Sequence, residues 1–367
     1  MKKRLFFFLG VLCFFGFNSC QKSINERVEA DALLAAARKS KPPFETTFFD
    51  PCNLVSASQH GKLDTLAKGF KFTEGPAVDR HGNVFFTDQP DDRIYRWDAS
   101  SGKVTLFLQG TGRANGMAFD KYGNLIACAD MHGELWKIRP DGSHEVLVDN
   151  YNGRKLNGPN DVWINPVTGG IYITDPMFPR GYWLDTDPRK VNNPGWPPVW
   201  SNQGAGIAGH VYYLAPRSRK LVRVTTMTGW GAENSWPNGI VGTPDGKKLY
   251  VNKWAGDNKG GTWSFAINRD GRLSNMKKVT EWGGDGMSMD ELGNFYISNG
   301  EGLMGFDRRG NNILKIPTGG GATNNVFAGK NNKLLIITGG GLTSPPWPDN
   351  QDRLTAVKMN VKGVEKF

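Results

Sequence analysis

Histidine and cysteine are scarce, five and four residues in a chain of 367. No CxxC pair and no Cys/His cluster with zinc spacing occurs, which removes zinc fingers and Cys-rich metal scaffolds. A GxSxG elbow, HExxH and a Walker A segment are all missing, so serine-hydrolase, zincin and P-loop chemistry have no marker. Beyond the N-terminus no apolar run is long enough to span a bilayer. No basic block carries interleaved aromatics. The 45 Lys and Arg are scattered among 35 acidic residues for a net charge of +10, with three of the positive charges at Lys2, Lys3 and Arg4. A nucleic-acid partner is therefore not expected.

What the chain does have is 47 Gly, 21 Pro and 12 Trp, a mixture that suits many short strands and turns. The N-terminus reads as a processing segment, with Lys2-Lys3-Arg4 as the basic region and Leu5 to Phe17 as the apolar one. Phe17-Asn18-Ser19-Cys20 resembles a bacterial lipobox, in which the Cys is lipidated. The expected organisation is a signal peptide over 1–19, a lipidated tether over 20–45 with a short helix near Glu29–Arg38, and one domain over 46–367. The protein is then an exported lipoprotein, periplasmic or on the cell surface, that meets the membrane through its lipid anchor. Cys52 and Cys128 remain; they can pair in an oxidising compartment or stay as thiols.

From about residue 60 one unit recurs. A polar residue opens a short apolar strand, a turn follows, and a second strand returns. The copies are "EGPAVDRHG" from Glu74, "NGMAFDKYG" from Asn115, "NDVWINPVTG" from Asn160, "NGIVGTPDG" from Asn238, "DGMSMDELG" from Asp285 and "NNVFAGKNN" from Asn324. Spacings near 40–45 residues match a four-stranded propeller blade. The fold class is all-β, a six-bladed β-propeller of four-stranded antiparallel blades. The first blade is read as Gly75–Val78, Val84–Thr87, Arg93–Trp97 and Val104–Leu108, and Leu63–Ala67 is expected to complete the last blade and close the ring. One longer spacing leaves an insertion over 176–209 that carries Tyr182, Trp183, Trp196 and Trp200.

In a propeller the first strand of each blade lines the central channel, so the six opening residues should form a ring at one mouth. Two carboxylates and four amides facing one axis make an oxygen-rich cage suited to calcium, magnesium or manganese. Taken singly, Asn-Gly and Asp-Gly are turn formers; Glu74-Gly75-Pro76 is not a favoured turn, and this favours the ring.

Four segments, "EGPAVDRHGNVFFTD", "LNGPNDVWINPVTGGIYITDP", "PNGIVGTPDGKKLYV" and "DGMSMDELGNFYIS", together resemble the gluconolactonase family, which includes regucalcin and luciferin-regenerating enzyme. The resemblance covers nearly all of residues 60–340. It implies a six-bladed propeller with one divalent metal on the axis, most readily calcium, with magnesium, manganese or zinc as alternatives. The implied metal ligands are Glu74, Asn238 and Asp285, with Asn160 contacting metal or substrate. The implied activity is hydrolysis of a sugar lactone, with Asp285 as general base. Asn160, Asn115, His132 and Trp183 are the substrate-binding candidates, together with Trp196, Trp200 and His210. The family often has a sugar-contacting Arg that is missing after Cys128, where Asp130 and His132 stand instead; Arg113 and Arg154 are the substitutes. A non-catalytic ligand-binding propeller, or a metal-dependent enzyme on another sugar or ester, remain as alternatives.

Overall fold

The computed structural model describes residues 47–153, 155–176, 178, 209–226, 230, 236–255, 257–341 and 352–364. Twenty-four strands form six four-stranded antiparallel sheets. Their inner strands are Thr73–Val78, Ala114–Phe119, Val162–Ile164, Pro237–Gly242, Met287–Met289 and Ala322–Ala328, one for each of blades one to six. Blades one to five each run through four consecutive strands, as the sequence repeat requires. In blade one the observed strands, Thr73–Val78, Val84–Asp88, Arg93–Trp97 and Val104–Gln109, lie within two residues of the expected ones.

Closure is as expected. Asp64–Phe70, the first strand of the chain, pairs antiparallel with Asp352–Lys358 and becomes the outer strand of blade six. The sheet ring thus joins its two ends through main-chain hydrogen bonds and leaves no inner edge unpaired. Between blades the core is made by flat sheet faces. Tyr296 of blade five packs on Phe327 of blade six, and Phe86, Tyr172, Phe265 and Phe295 are almost fully buried. Each such side chain stabilises by roughly 1.5–3 kcal/mol through lost water contact.

The hairpins far from the candidate mouth have a local cause. "VDRHGN", "FDKYGN", "MDELGN" and "FDRRGN" each place an Asp before a turn and an Asn after it. Asp79 accepts from the His81 and Asn83 amides at 2.8 and 3.0 Å and from Asn83 Nδ2 at 2.8 Å. Asp120, Asp290 and Asp307 repeat the same triple acceptance. An ionised Asp thereby satisfies turn amides that have no ladder partner.

The insertion joins the second and third strands of blade three, Ile171–Asp175 and His210–Leu214, whose Asp175 and His210 are register partners. Both its ends therefore sit at one rim. Trp183, Trp196, Trp200, Arg154 and Cys20, with the expected signal peptide and tether, lie outside the described residues. Cys128 is a free and buried thiol, so it is not bonded to Cys52. Burial and the nearby carboxylates of Asp161, Asp175 and Asp130 push that thiol far above the usual range.

Candidate metal and active site

The six opening residues do converge, and the reason is main-chain contact between neighbouring blades. The Gly116 amide donates to the Asn160 carbonyl at 2.6 Å, the Gly239 amide to the Asp285 carbonyl at 2.6 Å, and the Gly286 amide to the Thr323 carbonyl at 2.7 Å. Thr174 Oγ1 donates to the Asn238 carbonyl at 2.8 Å, and Thr323 Oγ1 to the Thr73 carbonyl at 2.6 Å. Thr87 Oγ1 reaches the Asn115 carbonyl at 3.4 Å. Every blade is tied to the next at the same height, which fixes the ring of side chains above.

This explains the glycines. A Cβ on Gly75 would lie 2.8 Å from the Asn115 carbonyl carbon, and one on Gly116 would lie 2.6 Å from the Asn160 carbonyl oxygen. Gly239 and Gly286 meet the next blade in the same way. The Asn-Gly and Asp-Gly pairs are therefore not turns here. They stand at the channel, where only glycine admits the neighbouring backbone. Asn160 and Asp285 lie just ahead of their inner strands rather than within them.

Glu74 is 2% exposed. Its carboxylate accepts from the Gly75 amide at 2.9 Å and from Asn324 Nδ2 at 3.3 Å. Burial raises its pKa well above the normal carboxylate range, and the charges of Asp285 and Asp161 push it further the same way. Asn115, Asn160, Asn238 and Asn324 are buried beside it, whereas Asp285 is half-buried and so reachable from the mouth. The Asn115 Oδ1 atom is buried without a hydrogen-bond donor. Both amide atoms of Asn252, which stands one strand out between Val251 and Lys253, are likewise buried without a hydrogen-bond partner.

A buried carboxylate under like-charge repulsion, next to an orphaned amide oxygen, is the environment that a hard cation relieves. Among the described residues no three His, Cys, Asp or Glu side chains gather to hold a metal by themselves. The donor set must therefore mix carboxylate and amide oxygens, which suits calcium or magnesium better than zinc. The residues present fit such an ion.

Most other acids of this rim fasten loops. Asp88 accepts from the Phe72 amide at 3.0 Å, Asp92 from those of Thr111 and Arg113 at 2.8 and 2.6 Å, and Asp175 from those of Asn157 and Gly158 at 3.1 and 3.0 Å. Burial raises Asp175 to about 7. His210 meets Thr225 Oγ1 at 3.2 Å, and burial lowers it to about 4, so it is neutral at pH 7. His132 is exposed and stacks on Trp136, with ring centroids 5.8 Å apart, on the body of blade two. Arg113 precedes the inner strand of blade two in a left-handed conformation, φ 54°.

Two features escaped the sequence reading. Asp161 occupies the channel position that is Gly in blades one, two, four and five, and so adds a third carboxylate close to Glu74. Its signal was present, since "PND" breaks the x-Gly pattern of its neighbours. The second is an aromatic corner beside Asn238. Trp236 and Trp254 have centroids 5.4 Å apart, and Phe178 lies 5.8 and 5.6 Å from them. These residues come from segments distant in sequence, so no local motif announces them.

Residues 72–340 match the model of the SMP-30/Gluconolactonase/LRE-like region. The chain belongs to this family. A gluconolactonase of Zymomonas mobilis subsp. mobilis is 26% identical over 271 residues, which is 66% of this chain and 69% of that protein. The solved structure of a gluconolactonase from Xanthomonas campestris is 26% identical, covers 88% of this chain and 98% of its own, and superposes with a TM-score of 0.65. Regucalcin of Agrobacterium tumefaciens, a calcium-binding protein, is 17% identical with a TM-score of 0.63 over 83% of this chain and 96% of its own, and supports the fold.

Proposed function

We propose that this protein is a metal-dependent lactone hydrolase acting on a sugar lactone. The observation that carries the reading is the buried Glu74 carboxylate, its pKa raised by burial and then by the Asp285 charge, in a ring that also holds an amide oxygen without a donor, in a chain whose relatives are gluconolactonases. Glu74, Asn238 and Asp285 would hold one divalent cation, most readily calcium, with Asn160 at its edge. When bound, the cation supplies Lewis-acid polarisation of the lactone carbonyl.

The protein's own groups supply the rest. Asp285, half-buried and open to the mouth, takes a proton from the attacking water as the carbonyl carbon gains its new C–O bond. The ring C–O bond then breaks, and the same carboxyl returns the proton to the departing ring oxygen. Asn115 and Asn160 orient ring hydroxyls. The Phe178, Trp236 and Trp254 corner covers an apolar face of the substrate; it favours a substrate larger than a bare monosaccharide lactone and keeps another sugar or ester in view. Cys20 lipidation, with an exported and membrane-tethered enzyme, belongs to this reading through the N-terminal segment.

The test is turnover of D-glucono-δ-lactone and a panel of larger lactones, with chelator and then with added calcium, magnesium or manganese. Asp285→Asn should lower kcat by about 10²–10⁴-fold, the range for loss of one general base. Equal turnover by wild type and Asp285→Asn would remove the general base. No turnover of any lactone with any of these cations would return the chain to a ligand-binding propeller.

A further inference from the structure

The face opposite the candidate mouth carries a chemistry that the site does not use. It is formed by the hairpins between inner and second strands and between third and outer strands. Adjacent turns touch there: the Gly329 amide donates to the Gly82 carbonyl at 3.1 Å, and Asn165 Nδ2 to the Gly246 carbonyl at 2.9 Å.

Among the described residues, three of the five exposed large apolar side chains stand at the tips of inner hairpins, Tyr122 at 76%, Val167 at 68% and Leu292 at 51% exposure. The fold does not ask for them. In these turns the tip residue contributes its amide to the preceding Asp or Asn, and the equivalent positions in blades one and four are His81 and Asp245. Single exposed apolar residues are ordinary, but three tips of one face around one axis form a pattern.

The same face is basic. The inner turns, 79–83, 120–124, 165–170, 243–248, 290–294 and 329–333, hold six Lys/Arg against five acids. The outer turns, 98–103, 139–143, 215–220, 268–272, 307–311 and 358–362, hold eleven against four. The mouth is mixed, with Glu74, Asp88, Asp92, Asp130, Asp175 and Asp285 standing among Lys71, Arg93, Arg113 and Lys253. Apolar tips within a ring of cations are complementary to the interface of an anionic bilayer, where each Lys or Arg close to the surface gains from the negative potential.

We propose that this basic, apolar-tipped face docks the propeller on a membrane rich in anionic lipid, with Tyr122, Val167 and Leu292 entering the headgroup layer and the mouth turned toward solvent. Residues 1–46 lie outside the described chain, and Leu5 to Phe17 are apolar. The stretch from Cys20 to Thr47 can reach at most roughly 90 Å when fully extended, so a tether of that length permits any orientation. Only the chemistry of the surface selects one.

The experiment floats the full chain with phosphatidylcholine vesicles and with 7:3 phosphatidylcholine–phosphatidylglycerol vesicles at low and high salt. All variants share one N-terminus, so its membrane affinity cancels. Wild type should bind the anionic vesicles at least tenfold more tightly, and high salt should abolish the preference. Tyr122→Ser/Val167→Ser/Leu292→Ser and, separately, Lys121→Glu/Arg309→Glu should each bring anionic binding to the neutral-vesicle level, with unchanged circular dichroism and lactone turnover. The proposal fails if wild type binds both vesicles equally or if both variants keep the preference. It also fails if duplex DNA, added as competitor, is bound through these same residues more tightly than the vesicles.

Discussion

Gly239→Ala tests the claim that the blades are locked together at the height of the site. Gly239 does not adopt a positive φ, so alanine carries no conformational penalty of its own. The penalty is spatial. The new Cβ would collide with the Asp285 carbonyl oxygen and lie 2.7 Å from the Gly286 carbonyl carbon and 2.8 Å from Met287 Cγ. Two of these atoms are main chain and cannot swing aside. Overpacking costs about 1–3 kcal/mol, and separating the blades also breaks the 2.6 Å Gly239–Asp285 hydrogen bond, for a further ~1 kcal/mol or more. The expected loss is about 2–4 kcal/mol, read as a shift of the urea midpoint at constant slope. Because the nearest displaced atom is the Asp285 carbonyl oxygen, kcat should fall by about 10²-fold even where the variant is fully folded, as expected for misplacement near 1 Å. The control is Gly123→Ala, at φ +83° with nothing within 4 Å of the added methyl; it carries only the left-handed strain of about 1–2 kcal/mol and should leave kcat alone. A Gly239→Ala protein no less stable than Gly123→Ala, and equally active, would refute the reasoning.

Glu74→Gln should reverse its effect with metal. Glu74 has a folded pKa above its unfolded one, so in metal-free protein its stability contribution is complete below the unfolded pKa and is lost as pH rises through the folded value. Metal-free Glu74→Gln should therefore melt no lower than wild type at pH 8. With cation at 100 times its Kd, wild type should gain about 2.7 kcal/mol and the variant almost none; scanning calorimetry with chelator and with calcium decides, and an equal calcium shift in both proteins would remove Glu74 from the metal. Asp175, raised to about 7 by burial, works in the same direction: its contribution is lost as pH rises from its unfolded value near 3.8 through about 7, so Asp175→Asn should flatten the denaturation midpoint between pH 4 and 7. Trp236→Ala should raise KM for a bulky lactone more than for gluconolactone; an equal change for both would separate the aromatic corner from substrate choice. Cys128, buried with a strongly raised pKa, should resist iodoacetamide at pH 8 until denaturant unfolds the protein, and rapid labelling of the native chain would contradict its burial.

The propeller was legible because it repeats. The D-x-x-G-N turns mark hairpins of blades one, two and five with chemistry that works locally, and the spacing between opening residues counts the blades. Closure by Asp64–Phe70 was legible for a topological reason, since an unpaired strand ahead of the first unit has only the last blade to complete. The reading of Asn-Gly was weaker, because both a hairpin and a tight inter-blade contact call for glycine. Only the position of the next blade's carbonyl separates the two, and that position is a property of the closed ring.

The site divides along the same line. Glu74, Asn115, Asn238 and Asn324 share one register of the inner strands, so the repeat alone could align them. Asp161 was hidden because the repeat teaches the eye to expect glycine there. Substituting a carboxylate for that glycine changes the electrostatics of the axis: it adds charge toward Glu74 and so strengthens the demand for a cation. The aromatic corner was illegible for another reason. Trp236, Trp254 and Phe178 meet through the stacking of blades three and four, and no period or motif relates them. The part of the site that repeats is thus the part suited to holding a metal, and the part that does not repeat is suited to choosing the substrate. Removing Asp161 as Asp161→Gly, which restores the pattern of blades one, two, four and five, should then weaken calcium binding while leaving the preference among lactones unchanged. Calorimetric titration of calcium beside a lactone panel reads both, and a changed panel with unchanged calcium affinity would show that Asp161 faces substrate instead.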